Sequence, residues 1–148
     1  MNATPVSGIV FHSSKELREI LDGVLRQIDA DPEQGPRLRA AAKSLQIEFR
    51  DLKLVLNVAP ASEADHCLRW DFSRRSTAHP KLKLSMESEF ANRFLQGREN
   101  AAIAIARGRL RTTVEDPAVA LRFFPAAKPL FERYRDLIAE KYPHLSID

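Results

Sequence analysis

The sequence predicts an α+β domain in which a mostly antiparallel sheet of about five strands is covered by helices. Near the N-terminus, apolar residues recur at helical spacing, which predicts an amphipathic helix. Further along, short segments alternate apolar with polar residues, which is typical of half-buried strands. Short turn-rich stretches separate these segments, so neighbouring strands are expected to pair in antiparallel fashion.

Composition limits the class of protein. The 148 residues are 44% hydrophobic and 29% charged, which is typical of one globular domain spanning residues 1–148. The formal net charge is +3, and 20 acidic residues are interspersed among 23 basic ones, so a nucleic-acid-binding stripe is not indicated. The small positive excess favours, at most, a weak and transient contact with an anionic membrane surface.

Cys67 is the single cysteine of the sequence. An intrachain disulfide and a thiolate zinc cluster within one chain are therefore excluded, and a reducing cytoplasm is the expected location. Residues 1–11 are expected to form a loose lead-in without the features of a secretory signal. No stretch approaches the ~20 consecutive apolar residues that a transmembrane helix requires.

Two helices are predicted before the first strand. Ser13 and Glu16 fit a capping box that starts the first helix, and residues 29–32 end it. Its polar face mixes acidic and basic residues, which favours packing onto a sheet over a role at a membrane surface. A second helix is expected from Pro36 to about Leu45. The apolar side of the first helix comprises Leu17, Ile20, Leu21, Val24, Leu25 and Ile28.

The next segment, residues 46–58, reads as a long strand with an interruption. Ile47 and Phe49 have one parity, whereas the apolar residues from Leu52 onward have the other. A β-bulge near Arg50 would restore the register, and the alternative is two strands separated by a turn. A further strand, predicted over residues 66–72, completes an antiparallel meander that leads into the strand beginning at Lys81.

The second half of the chain alternates strands and helices. Lys81–Met86 predicts a strand, and Glu87–Gln96 predicts a helix with Phe90 and Phe94 on one face. Gly97 can supply the left-handed residue that ends this helix. The following alanine-rich segment, residues 101–106, alternates like a strand but is composed like a helix.

The last segments carry clear boundary signals. Residues 109–115 alternate again and predict a strand, after which Asp116 and Pro117 fit the N-cap and first position of a helix. That helix is expected to break at Pro125. A last helix is expected from about Pro129 to Tyr142.

One ordered set of segments comprises Leu82–Ser85, a helix carrying Phe90, Ala102–Ala106, Gly108–Arg111 and a terminal apolar helix. This set resembles the sterol carrier protein 2 (SCP-2) family over the second half of the chain and, more loosely, over the first. The resemblance implies an SCP-2-like fold. It also assigns the alanine-rich segment to a short helix that ends before the next strand.

The short elements of the second half carry more bulky apolar side chains than a small sheet needs to fill its centre. Taken singly, each of these side chains is better explained as part of the core. In the SCP-2 family, however, the sheet and helices enclose an apolar tunnel for sterols, fatty acids or acyl-CoA, which the terminal helix helps to close. The resemblance implies that the ligand-binding residues are Phe90, Phe94, Ile103, Ile105, Phe123, Phe124, Leu130 and Phe131.

No catalytic constellation is readable in the sequence. No two histidines have the spacing of a helical metal site, and His66 and Cys67 would point to opposite faces of a strand. Arg107, Arg109 and Arg111 could contact a phosphate from one strand face, although a solvated face is the simpler interpretation. We therefore expect no enzyme activity, no metal and no cofactor.

The function that the sequence favours is non-catalytic binding or carriage of a lipid or other hydrophobic ligand. The alternative is an accessory or dimerisation module with a filled core, which serves an enzyme acting on lipids or quinones. The volume of the internal cavity separates the two, since a packed interior favours the accessory module. Whether the chain forms a homodimer stays open.

Overall fold

The computed structural model describes residues 11–41, 44–61, 66–74, 80–114 and 116–147 of the chain. Residues 1–10 of the predicted lead-in over residues 1–11 lie outside these ranges, whereas Phe11 is buried in the core, so the prediction of a loose segment is wrong at that residue. Residues 62–65 and 75–79, which belong to the turn-rich stretches between segments, also lie outside them. Within them, the α-helices are α1 Ser14–Ala30, α2 Gln34–Ala41, α3 Ser88–Leu95, α4 Ala101–Ala106, α5 Pro117–Ala126 and α6 Lys128–Lys141. The strands are β1 Leu45–Phe49, β2 Leu54–Pro60, β3 Leu68–Asp71, β4 Leu82–Met86 and β5 Arg111–Val114.

The five strands form one mixed sheet in the order β3-β2-β1-β4-β5. Strand β1 pairs with β4 in parallel, and the other three pairings are antiparallel, so the predicted mostly antiparallel sheet is confirmed. The predicted antiparallel meander is confirmed for β1, β2 and β3, but it does not continue into β4, because β4 pairs with β1 instead of β3. This order puts the apolar strands β1 and β4 inside the sheet and leaves β3, with Arg69 and Asp71, at an edge.

Two predictions around β1 are corrected. The second helix ends at Ala41, before the predicted limit of Leu45, and Leu45 instead opens β1. The predicted bulge is also absent among the described residues: the chain reverses through a 3₁₀ turn over Arg50–Leu52 with Lys53 in the left-handed region at φ 53°. The change of parity therefore marks two paired strands, which was the alternative interpretation, and Phe49 faces Leu54 across the hairpin.

The predicted helix caps are present in the structure. The N–H of Glu16 donates to Ser13 Oγ at 3.2 Å, which caps α1, and the N–H of Ala118 donates to Asp116 Oδ1 at 3.0 Å, which caps α5. Gly97 follows α3 with φ +78°, the left-handed conformation that favours glycine. The alanine-rich segment forms the short helix α4, as the family resemblance implied.

The break predicted at Pro125 is wrong in position. Helix α5 continues past Pro125 to Ala126, and the chain turns into α6 at the fully buried Ala127. Pro129 lies in the first turn of α6, where its missing N–H removes no helical hydrogen bond. Helices α5 and α6 are therefore separated by a single residue.

A buried polar cluster fixes the C-terminal segment to α3. The Tyr134 hydroxyl donates to Asn92 Oδ1 at 2.8 Å, and Asn92 Nδ2 donates to the Leu145 carbonyl at 3.0 Å. Gln96 Nε2 donates to the same two acceptors, each at 2.8 Å. Burial raises the pKa of Tyr134 far above its ordinary value, with the charge of Glu16 adding to the effect, so this hydroxyl stays a hydrogen-bond donor.

Candidate functional site

An apolar cavity lies between the sheet and the helices, and all the described residues around it carry apolar side chains. From the sheet these are Leu45, Ile47, Phe49, Leu56, Val58, Leu84 and Met86. From the helices they are Leu21, Val24, Leu25, Leu38, Phe94, Leu95, Phe123, Leu130 and Phe131. The site therefore offers burial, and it offers no charge to a ligand.

The floor of the cavity follows from strand register. Ile47 on β1 lies directly beside Leu56 on β2 and Leu84 on β4, so three aliphatic side chains form one row across the sheet. Because side chains alternate between faces, residues two positions away on the same strands extend this floor. Thr112 on β5 continues the row beside Leu84. Its buried hydroxyl has no hydrogen-bond partner among the described residues.

Aromatic rings from three helices form the opposite wall. The ring centroids of Phe94 on α3 and Phe131 on α6 are 5.1 Å apart, and the two ring planes make an angle of 63°. Phe124 on α5 contacts Phe94 edge-on at 6.3 Å and Phe123 at 5.5 Å. Edge-to-face ring pairs of this kind each contribute about 0.5–1.5 kcal/mol beyond the burial of their area.

The predicted ligand-binding residues divide into three groups. Phe94, Phe123, Leu130 and Phe131 line the cavity. Phe90 and Phe124 pack against those rings from behind, and Phe90 stacks on Phe94 at 5.6 Å.

Ile103 and Ile105 form the third group and lie outside the cavity. Both are on α4, where their side chains are 54% and 43% exposed. The buried residue of that helix is Ala104.

Most of the lining consists of residues outside the predicted ligand-binding set. Leu21, Val24 and Leu25 on α1 face the cavity, and so do Ile47, Leu56 and Leu84 on the sheet. The sequence does predict Leu21, Val24 and Leu25 as part of the apolar face of α1. Tertiary packing decides which part of an apolar helix face borders a cavity, and the spacing of apolar residues in the sequence does not predict it.

The cavity is small in this conformation, at about 30 Å³. That is room for one or two waters, whereas ligand pockets typically measure about 300–1,000 Å³. Binding a lipid tail here therefore requires that one wall moves.

Among the helices that line the cavity, α5 has the fewest buried residues in the described part of the chain. Phe123 is its one buried residue among those described, and Leu121 on the same helix is 75% exposed. Helix α6, by contrast, buries Tyr134, Leu137 and Ile138 and packs along α1. Elements with few buried apolar contacts open at low free energy, so α5 is the wall most able to move.

Comparison with known proteins identifies the fold. No protein-family profile matches the chain, and no curated protein matches it in sequence. A crystal structure of sterol carrier protein 2 superposes with a TM-score of 0.54, covering 80% of this chain and 95% of that one at 17% identity. The UbiJ-SCP2 ubiquinone synthesis protein also superposes with a TM-score of 0.54, covering 77% of this chain and 97% of that one at 13% identity. The chain has the SCP-2 fold.

A part of a much larger protein also superposes on this chain. The stereoselective inverting sec-alkylsulfatase Pisa1 from Pseudomonas sp. matches with a TM-score of 0.52 at 12% identity. The match covers 70% of this chain, which spans only 15% of the length of the alkylsulfatase. The family resemblance seen in the sequence is confirmed at the level of the fold.

None of the helices in the described part of the SCP-2 fold combines the length and apolar character that a membrane span needs. The three arginines considered as a phosphate contact do not share a strand face. Arg107 follows α4, Arg109 lies over the Phe90 ring at 5.3 Å and within 3.7 Å of Glu99, and Arg111 opens β5.

A charged contact that sequence reasoning missed ties α1 to β3. His66 Nδ1 lies 2.7 Å from Asp29 Oδ2, and Asp29 Oδ1 accepts the N–H groups of Cys67 and Leu68 at 2.7 and 2.9 Å. Cys67 Sγ lies close to the backbone of Gly35, where an added Cβ would approach it to 3.1 Å. Asp29 thus fixes the start of β3 against α1.

These contacts make the stability of the fold sensitive to acid. Burial opposes ionisation of Asp29, but hydrogen bonds from His66, Leu68 and Cys67 outweigh it and hold the pKa of Asp29 below its ordinary value of 3.8. Because the pKa of Asp29 is lower in the folded than in the unfolded chain, its carboxylate stabilises the fold at any pH above the unfolded-state pKa. This stabilisation is lost as the pH falls through the folded-state pKa. We expect Asp29→Asn to cost about 1 kcal/mol at neutral pH and to flatten the loss of stability below about pH 4.

Urea unfolding at neutral and acidic pH tests this prediction. Asp136→Asn is the matched control, because Asp136 is exposed on α6. An acid profile of Asp29→Asn that overlays the wild type would contradict the role of this carboxylate.

Proposed function

We propose that the chain binds a lipid or other hydrophobic ligand, of the sterol, fatty acid or acyl-CoA type, between the sheet and its helices without catalysing a reaction on it. The observation that carries the proposal is the wholly apolar lining, shared between the sheet row at Ile47 and the aromatic wall at Phe94. The likeness to sterol carrier protein 2 supports it.

Burial supplies the affinity in this proposal. Each methylene removed from water contributes about 0.8 kcal/mol, so about ten methylenes offer about 8 kcal/mol before the free energy of opening is subtracted. Without charged groups in the lining, chain length and shape select the ligand weakly.

Entry proceeds by displacement of α5. Phe123 leaves the aromatic wall, the chain pivots at Ala127, and α6 stays packed on α1 and α3. Because the closed cavity holds about 30 Å³, the ligand binds the open state far better than the closed one and shifts the population towards it.

The proposal includes delivery to a membrane within the cytoplasm. The single cysteine supports a reducing compartment. The exposed apolar side chains of Ile103 and Leu121, with the net charge of +3, support a transient contact with an anionic lipid surface.

A matched pair of substitutions tests where the ligand binds. Ile47→Trp fills the row between Leu56 and Leu84, whereas Ile103→Trp makes the same change on the exposed face of α4. We expect Ile47→Trp to weaken binding of a fluorescent palmitate analogue at least about tenfold, and Ile103→Trp to leave it unchanged. Circular dichroism checks that each variant is folded. Equal affinity in both variants, or no uptake by the wild type, would refute the proposal.

The second candidate function is an accessory or dimerisation module. The small volume of the cavity favours it, because a filled core needs no ligand to be complete. The likeness to the UbiJ-SCP2 ubiquinone synthesis protein points to a similar role beside a lipid- or quinone-related enzyme. A wild-type chain that takes up no palmitate analogue, yet forms a stable homodimer or a complex with such an enzyme, would establish this alternative.

A further inference from the structure

Three side chains from the two ends of the described chain meet beside the start of α1. His12 Nδ1 and His144 Nε2 each lie 3.2 Å from the same oxygen, Glu16 Oε2. Glu16 and His144 are 128 positions apart in sequence, so no motif search could have paired them. Within the described residues, these three side chains form the one group of His, Cys, Asp or Glu whose ligand atoms lie close enough together to hold a metal ion.

The two imidazoles of the group stack against each other. Their ring centroids are 4.3 Å apart and their planes differ by 5°, so the rings of His12 and His144 stack and each turns a nitrogen towards Glu16. The Glu16 side chain is only 12% exposed, and its other oxygen accepts the N–H of His12 at 2.9 Å. That bond holds the carboxylate in place beside the stacked rings.

We propose that His12, Glu16 and His144 form a binding site for a zinc-like divalent transition metal. One ligand atom from each residue lies within 4.8 Å of the others. Zinc bonds imidazole nitrogen at about 2.0–2.1 Å and carboxylate oxygen at about 2.0–2.2 Å, so tetrahedral ligands lie roughly 3.3 Å apart. The stacked rings of His12 and His144 would have to tilt apart so that one nitrogen of each faces the same ion, and a water would complete the fourth position.

The charges around the site are compatible with a cation. The N-terminus of α1 carries a partial positive charge, which opposes a metal ion, and the carboxylate of Glu16 offsets that charge. The metal would replace two carboxylate–imidazole contacts with three metal–ligand bonds. Two nitrogens and one oxygen form a donor set that zinc accepts and that magnesium or calcium does not favour.

Binding at this site has a structural consequence. His144 lies in the 3₁₀ turn Pro143–Leu145 that follows α6, and Leu145 is buried against α3. A metal ion would connect this turn to the start of α1 and stabilise the closure of the C-terminal segment. Since a ligand that binds only the folded state raises stability by mass action, zinc should raise the melting temperature.

Calorimetric titration of the untagged full chain with zinc chloride tests the proposal. We expect about one zinc per chain, a higher melting temperature, and visible absorption bands of a four-coordinate site with cobalt(II). His12→Ala is the decisive variant, because the His12 side chain is 73% exposed and its removal leaves the core intact. It should weaken zinc binding more than about tenfold and abolish the thermal shift.

Two further variants separate the site from other histidines. Glu16→Gln keeps an oxygen that can accept the His12 N–H but removes the charge, and it should also weaken zinc binding. His66→Ala removes a histidine paired with Asp29 elsewhere in the fold and should leave zinc affinity unchanged. No zinc binding by the wild type, equal binding by His12→Ala, or loss of binding in His66→Ala would overturn the proposal.

Discussion

Replacing Phe123 with alanine is expected to destabilise the fold by about 3 kcal/mol and, at the same time, to increase the affinity for a palmitate analogue. The loss of stability follows because Phe123 is the buried anchor of α5 and contacts both the cavity and Phe124. The gain in affinity follows because the open state becomes less costly to populate. Urea unfolding and fluorescence titration measure the two effects separately.

The control for this prediction lies on the same helix. Leu121→Ala removes a side chain that is largely in water, and it should change stability by less than about 0.5 kcal/mol and leave uptake unchanged. If Phe123→Ala loses stability but takes up no more ligand than the wild type, α5 is a structural helix and another wall must open.

Replacing Asn92 with alanine is expected to cost about 2–3 kcal/mol and to loosen the C-terminal segment. Asn92 accepts from Tyr134 and Gln96 and donates to the Leu145 carbonyl, all in a buried setting. Its removal leaves the Tyr134 hydroxyl without the acceptor it has in the wild type. Hydrogen exchange should accelerate at Leu145 and Ile147, whose N–H donates to Gln96 Oε1 at 3.2 Å.

A second variant of the same cluster provides a graded comparison. Tyr134→Phe removes one hydroxyl while Asn92 keeps its bonds to Gln96 and Leu145, so it should cost only about 1 kcal/mol. A larger loss in Tyr134→Phe than in Asn92→Ala, or unchanged exchange at Ile147, would show that the cluster does not hold the C-terminal segment.

Local chemistry made much of the fold predictable. Ser13 and Asp116 cap helices because their side-chain oxygens accept nearby backbone N–H groups, and those bonds form within a few residues. Gly97 ends α3 for an equally local reason, its positive φ. The apolar spacing of α1 also gave its buried face correctly.

Features that depend on distant contacts could not be predicted in this way. The parallel pairing of β1 with β4, and the place of Leu45 in β1, depend on which strands come together in three dimensions. The cluster at His144 requires both ends of the chain to meet. The volume of the cavity is the small difference between large packed volumes, and a list of apolar residues does not determine it.

Intermolecular NOEs between a bound fatty acid and methyl-labelled protein would test the central claim most directly. The ligand should contact the methyl groups of Ile47, Leu84 and Val24, which line the space between the sheet and α1. It should give no NOEs to Ile103, which is exposed on α4. NOEs confined to Ile103 and Leu121, or none at all in the presence of excess fatty acid, would contradict ligand binding inside the SCP-2 fold.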